Sequence, residues 1–131
     1  MDNNIKKQLL GTFIEQFFEF INDIQSVFPH DREIKLAKGK LFLIKKTNPK
    51  LLMSEFKESV TDKYSNEIVQ GNIDFFIEKD YSADLNSVDE GKNILKKIEA
   101  LRNPIKSMNK EEQSKIVSYI QNLSSLCELY H

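Results

Sequence analysis

From Asn3 to Val27 the sequence has no proline, and Gly11 is its single glycine. Its apolar residues recur with the period of a helix. At roughly 100° per residue, Leu9, Leu10, Phe13, Ile14, Phe17, Phe20, Ile21, Ile24, Val27 and Phe28 share one broad face. Glu15, Glu19, Asn22, Asp23 and Ser26 fall on the other side, with Phe18 at the margin. An apolar arc this wide predicts a helix buried by two neighbours at once. Pro29 then ends or redirects it, because proline lacks the amide a continuing helix requires.

The rest of the chain supplies helices to pack against. A second helix is expected from near Asp31 to Thr47, with Ile34, Ala37, Leu41 and Ile44 as its core stripe. Asn48-Pro49 reads as the start of a third, with Asn in the cap and Pro at the first helical position. Leu52, Phe56, Val60 and Tyr64 then follow at four-residue steps, while Glu55, Glu58 and Asp62 lie elsewhere on that helix. Glu67 to Gly71 reads as a helical turn closed by the glycine, and Ile73, Phe76 and Ile77 as a short helix. Residues 80–86 read as an acidic loop.

Ser87-Val-Asp-Glu90 has the form of a capping box ahead of a helix carrying Ile94, Leu95, Ile98 and Leu101, which Asn103-Pro104 is expected to stop. Asn109-Lys-Glu-Glu112 starts the last helix, whose seam is Ile116, Ile120, Leu123, Cys127 and Tyr130. That seam either completes the core or meets a second copy of the chain as a homo-oligomer. The expectation is an all-α bundle of five or six helices forming a single domain over residues 1–131, with Phe17, Ile21, Phe56, Ile98 and Ile120 at its centre. The few turn residues, four Gly and three Pro, argue against an all-β alternative.

Charge is close to balanced at −1, so no overall field draws the chain to nucleic acid, but its distribution is uneven. Residues 1–31 carry −3, 32–50 carry +6, 51–91 carry −7 and 92–131 carry +3. The basic block places Arg32, Lys35, Lys38, Lys45 and Lys46 around Phe42, with Lys50 beyond. These seven residues are the candidate contact site, for nucleic acid or for an acidic partner. A helix of this kind can lie along phosphates while an aromatic ring stacks on a base. Against nucleic acid stand the absence of any helix-turn-helix or RNA-binding signature and the presence of only two arginines, Arg32 and Arg102. A lysine face opposing the acidic 51–91 block is the simpler reading.

Other chemistries find no support. The lone Cys127 allows no internal disulfide and reads as a buried thiol within a helical stripe. His30 lies in an interhelical turn and His131 at the last residue, so neither suggests a catalytic base held beside a nucleophile. One Cys and two distant His fall short of a zinc set, and a calcium loop counted from Asp80 fails at Leu85 and Gly91. Gly11, Gly39, Gly71 and Gly91 are isolated, so no phosphate cradle is written here. No catalytic residues, cofactor or metal site are expected. Neither a signal peptide nor a membrane span is visible, and a soluble intracellular protein is expected.

Several segments resemble a family of small all-helical proteins of giant nucleocytoplasmic DNA viruses of the mimivirus-like kind. They are Phe17–Asp31, Ile44–Leu52, Asp74–Leu85, Arg102–Met108 and Tyr119–Tyr130, which together touch most of the chain. The abundance of Asn, Ile and Lys fits an AT-rich genome of that sort. The resemblance implies a viral product made in the host cytoplasm, and it carries no activity or site onto individual residues. The expected function is that of a non-enzymatic interaction or structural protein with a viral or host protein partner. A virion component and a virus-factory adaptor are the two forms this takes, and a nucleic-acid-binding accessory protein using residues 32–50 is the alternative.

Overall fold

The structure is a computed structural model that describes residues 3–72 and 102–131. The acidic loop at 80–86, the capping box at Ser87, the short helix around Phe76 and the stripe containing Ile98 lie outside these residues. The described residues form an all-α bundle. Its elements are α1 (Asn3–Val27), α2 (Arg32–Thr47), α3 (Pro49–Phe56), α4 (Ser65–Gln70), α5 (Arg102–Lys106) and α6 (Lys110–Tyr130), with a π-helical turn over Lys57–Thr61 between α3 and α4.

Helix α1 is the centre of the bundle and packs against α6, α3 and α2. Phe13, Phe17, Phe20, Ile21 and Ile24 are essentially inaccessible to solvent, as the breadth of the apolar arc requires. The arc thins at its end, where Val27 is exposed in the last turn before the chain leaves for α2. The Phe13 and Phe17 rings both meet Phe56 of α3 edge-on, at centroid distances of 5.7 and 6.3 Å. Helix α6 runs antiparallel to α1. Tyr119 contacts Phe20 and donates to the Asp23 carboxylate at 2.9 Å, while at the other end the Lys6 ammonium lies over the Tyr130 ring. The α6 seam of Ile116, Ile120, Leu123 and Cys127 is buried within the chain. These four residues of the seam complete the core, and Tyr130 at its end is half-buried.

The helix ends follow from local chemistry. Asp31 caps α2 by accepting the amides of Glu33 and Ile34 at 2.9 and 3.2 Å. Asn48 departs from its expected role, because its side chain makes no capping bond to α3. Its amide closes α2 instead, donating to the Ile44 carbonyl at 2.7 Å, and Pro49 starts α3 by its fixed φ and missing donor. Gly71 adopts φ +73° and ends α4 in a Schellman arrangement, with the amides of Asn72 and Gly71 returning to the carbonyls of Glu67 and Ile68. Asn109 and Glu112 form a reciprocal capping box at α6, at 2.8 and 3.1 Å. Asn103 and Pro104 lie within α5, and the helix they are expected to stop lies outside the described residues. A proline early in a helix sacrifices no needed hydrogen bond.

Between α3 and α4 one turn widens, with the Asp62 amide donating to the Lys57 carbonyl at 2.8 Å. Leu52, Phe56, Val60 and Thr61 are all buried along this stretch. Glu55 is also buried, because α3 is short and has α1, α2 and α6 around it. Glu58 and Asp62 remain exposed.

Phe17→Ala is expected to cost about 3–5 kcal/mol, because it removes a fully enclosed ring from the α1–α3–α6 junction. Asn109→Ala should cost about 1 kcal/mol by freeing the first amides of α6. Urea denaturation of the two variants against the parent protein measures both. An unchanged midpoint for Phe17→Ala would contradict the central position of α1.

Candidate functional site

Helix α2 carries two apolar stripes, one buried and one exposed. Ile34, Ala37 and Leu41 are buried against α1 and α3. Leu36 and Leu43, two turns apart on the opposite side, are each 63% exposed. Arg32 and Gly39 share that outer face at helical spacing and are exposed as well. A side chain at Gly39 would meet nothing within 4 Å, so the helix backbone is open to close approach there. Lys35 and Lys46 flank the leucines on one side and Lys40 on the other, all exposed.

The structure divides the seven residues singled out from sequence into two groups. Arg32, Lys35 and Lys50 project into solvent and have no ion-pair partner among the described residues. Lys38, Phe42, Lys45 and Lys46 are instead engaged within the chain. The Lys38 ammonium donates to the Gln25 side chain of α1 at 3.0 Å. The Lys45 ammonium lies between two perpendicular rings, 5.3 Å from the centre of Phe18 and 5.1 Å from that of Phe42. Lys46 reaches the Phe42 ring as well, at 4.8 Å. Phe42 is 40% exposed, and both ammonium groups lie near its ring.

Among the described residues, the lysines of this block contact an amide and aromatic rings, and Lys57 pairs with its own neighbour Asp62 at 3.0 Å. Most of the acidic 51–91 block lies outside the described residues. Sequence reasoning missed Leu36, Lys40 and Leu43 as surface features. The signal was present: the two leucines fall outside the Ile34–Ala37–Leu41–Ile44 stripe yet share a face with each other.

A second polar feature sits at the π-turn. Thr61, the last residue of that turn, donates from its hydroxyl to Ser124 of α6 at 2.9 Å, and both are buried. Beside them the Cys127 thiol is inaccessible and donates to the Met53 carbonyl at 3.8 Å. Burial pushes this thiol up to about 12, against a smaller opposing pull from a Thr61 hydrogen bond and the Lys57 charge. His30 and His131 are exposed and well separated in the sequence, and among the described residues no three His, Cys, Asp or Glu side chains converge to hold a metal ion. No described helix is long and apolar enough to cross a membrane.

Two outcomes follow for these groups. Lys45→Gln should destabilise the protein by about 1 kcal/mol, the scale of a partly buried ammonium held over aromatic rings, although the residue is on the surface. Native Cys127 should resist alkylation at mildly alkaline pH and react only in denaturant. Because its folded value lies above the ordinary 9.0, its neutral form contributes stability that is complete below that pH and lost as pH climbs toward 12. Thermal melts of the parent and Cys127→Ala across this range measure the difference.

The chain matches no family model, no curated protein and no solved structure.

Proposed function

We propose that this protein is a non-enzymatic interaction module whose docking surface is the outer face of α2. The observation that carries this reading is the second apolar stripe. Leu36 and Leu43 are each 63% exposed on a helix whose opposite side already anchors it to the core. Burying these exposed side chains against a partner is worth ~1.5–3 kcal/mol apiece. The exposed cations around them add electrostatic steering of an encounter. In the viral setting implied by the resemblance, the protein acts in the host cytoplasm as a virus-factory adaptor or within the virion as a structural component.

Nucleic-acid binding is the second reading, favoured by the exposed cations Arg32, Lys35, Lys40 and Lys50. It is weakened by the engagement of Phe42 and Lys38 within the fold and by the leucines at the centre of the basic face.

The two readings separate on paired variants. Leu36→Ser with Leu43→Ser should leave the melting temperature nearly unchanged, since surface substitutions of this kind fall within about 0.5 kcal/mol. It should abolish recovery of a specific partner when tagged protein is drawn from infected cells. Lys35→Gln with Lys40→Gln tests the alternative without disturbing the contacts that Lys38 and Lys45 make inside the fold. Micromolar duplex DNA or RNA binding at physiological salt, lost in the lysine pair and retained in the leucine pair, would establish the nucleic-acid reading instead.

A further inference from the structure

We infer that the partner seated on the outer face of α2 is an acidic amphipathic helix of another protein, an inference that rests on the docking reading above. Leu36 and Leu43 are seven residues apart, which places them roughly 10.5 Å from one another along the axis. This is the spacing at which one helix presents apolar residues to another over two turns. Gly39 lies between them with open space where a side chain would stand. A facing helix can therefore settle close to the backbone, with a large apolar residue over Gly39 and the two leucines on either side of it. Helix pairs approach to about 8–10 Å when the residues at the contact allow it.

The charges select the partner's sign. Arg32 stands one turn ahead of Leu36, Lys35 and Lys46 run along one flank, and Lys40 lies along the other with the exposed Glu33 two turns before it, so cations outnumber carboxylates around the leucines. A helix laid on the leucines brings its own flanking residues against these cations, in the relation that sets partner choice in paired helices. Glu or Asp at those positions gives favourable pairs, and Lys or Arg gives repulsion. The same argument excludes a second copy of this chain in a symmetric dimer. Two such faces would set Arg32, Lys35, Lys40 and Lys46 against their own images.

Other anionic occupants fit less well. A phosphate backbone gains nothing from leucines at the centre of the face. An anionic membrane surface favours a broad apolar arc, whereas Arg32 and Gly39 interrupt this one. One helix face of this length is smaller than a standard protein–protein interface, so the complex should be weak and exchange rapidly, with a Kd in the micromolar range.

The test uses the full chain and designed probes. A fluorescent helical peptide of about 16 residues, with heptad-spaced leucines and glutamates on their flanks, is titrated with protein and followed by anisotropy. Parallel probes are the same peptide with lysine for glutamate, its leucine-scrambled version, a DNA duplex, a single-stranded RNA, and phosphatidylserine-containing vesicles. Micromolar binding of the acidic peptide alone supports the inference. It should weaken about tenfold or more between ~0.05 and ~0.5 M salt. Leu36→Ser with Leu43→Ser should reduce it at least about tenfold. Lys35→Gln with Lys40→Gln should reduce it and flatten the salt dependence, while circular dichroism shows both variants folded.

Equal binding of the scrambled peptide, or undiminished binding by the leucine variant, would show charge attraction alone and overturn the inference. Tighter binding of an oligonucleotide or the vesicles would also overturn it. If no peptide binds while the leucine variant still loses its partner from infected cells, the docking face stands and the acidic-helix partner falls. If the leucine variant loses neither, the docking face itself is wrong.

Discussion

The contact on which the remaining structure depends is the meeting of Phe13 and Phe17 with Phe56 at the crossing of α1 and α3. All three rings are almost wholly buried, and their edge-on geometry at 5.7 and 6.3 Å suits the aromatic quadrupole. Their bulk sets how closely α3 can lie on α1. That spacing in turn fixes where α2 and the π-turn leave the helix they share. Helix α6 then packs along α1 and against α3 with Ile116, Ile120 and Leu123 buried. Tight packing of this kind leaves little freedom for adjustment, so the position of each surface helix is inherited from the core.

The π-turn shows how such a constraint reaches polar groups. The widened turn ends at Thr61, whose side chain lies in the interior. A buried hydroxyl without a partner is costly, and Ser124 meets that need across the interface with α6. The result is a polar pair that ties the register of the π-turn to that of α6. It sits beside a thiol kept neutral by the same burial.

On the far side, α2 has its inner stripe committed to the core and its outer stripe uncommitted. Lys38 and Lys45 lie along the border and are drawn into contacts with Gln25, Phe18 and Phe42. This fixes α2 at its edges as well as along its inner face, so the leucine face is presented on a braced helix. A rigidly held surface loses less conformational freedom on association, which favours binding by a modest set of contacts.

Local sequence determined the ends of α1 and α2, the Asn109 capping box, the closure of α4 at Gly71 and most of the described core residues, though not Met53, Ile68, Ile105 or Met108. Those features depend on residues close in sequence, whose angular relation a helix dictates. The destinations of the lysines, the burial of Glu55 and Thr61 and the commitment of the α6 seam to the core were decided by tertiary structure. Each depends on which helix lies opposite, and a one-dimensional pattern holds no record of that. The leucines of α2 illustrate both halves of the division. Their shared face is written in the spacing of Leu36 and Leu43, but their exposure follows from the burial of Ile34, Ala37 and Leu41, which turns the opposite face of the helix to solvent.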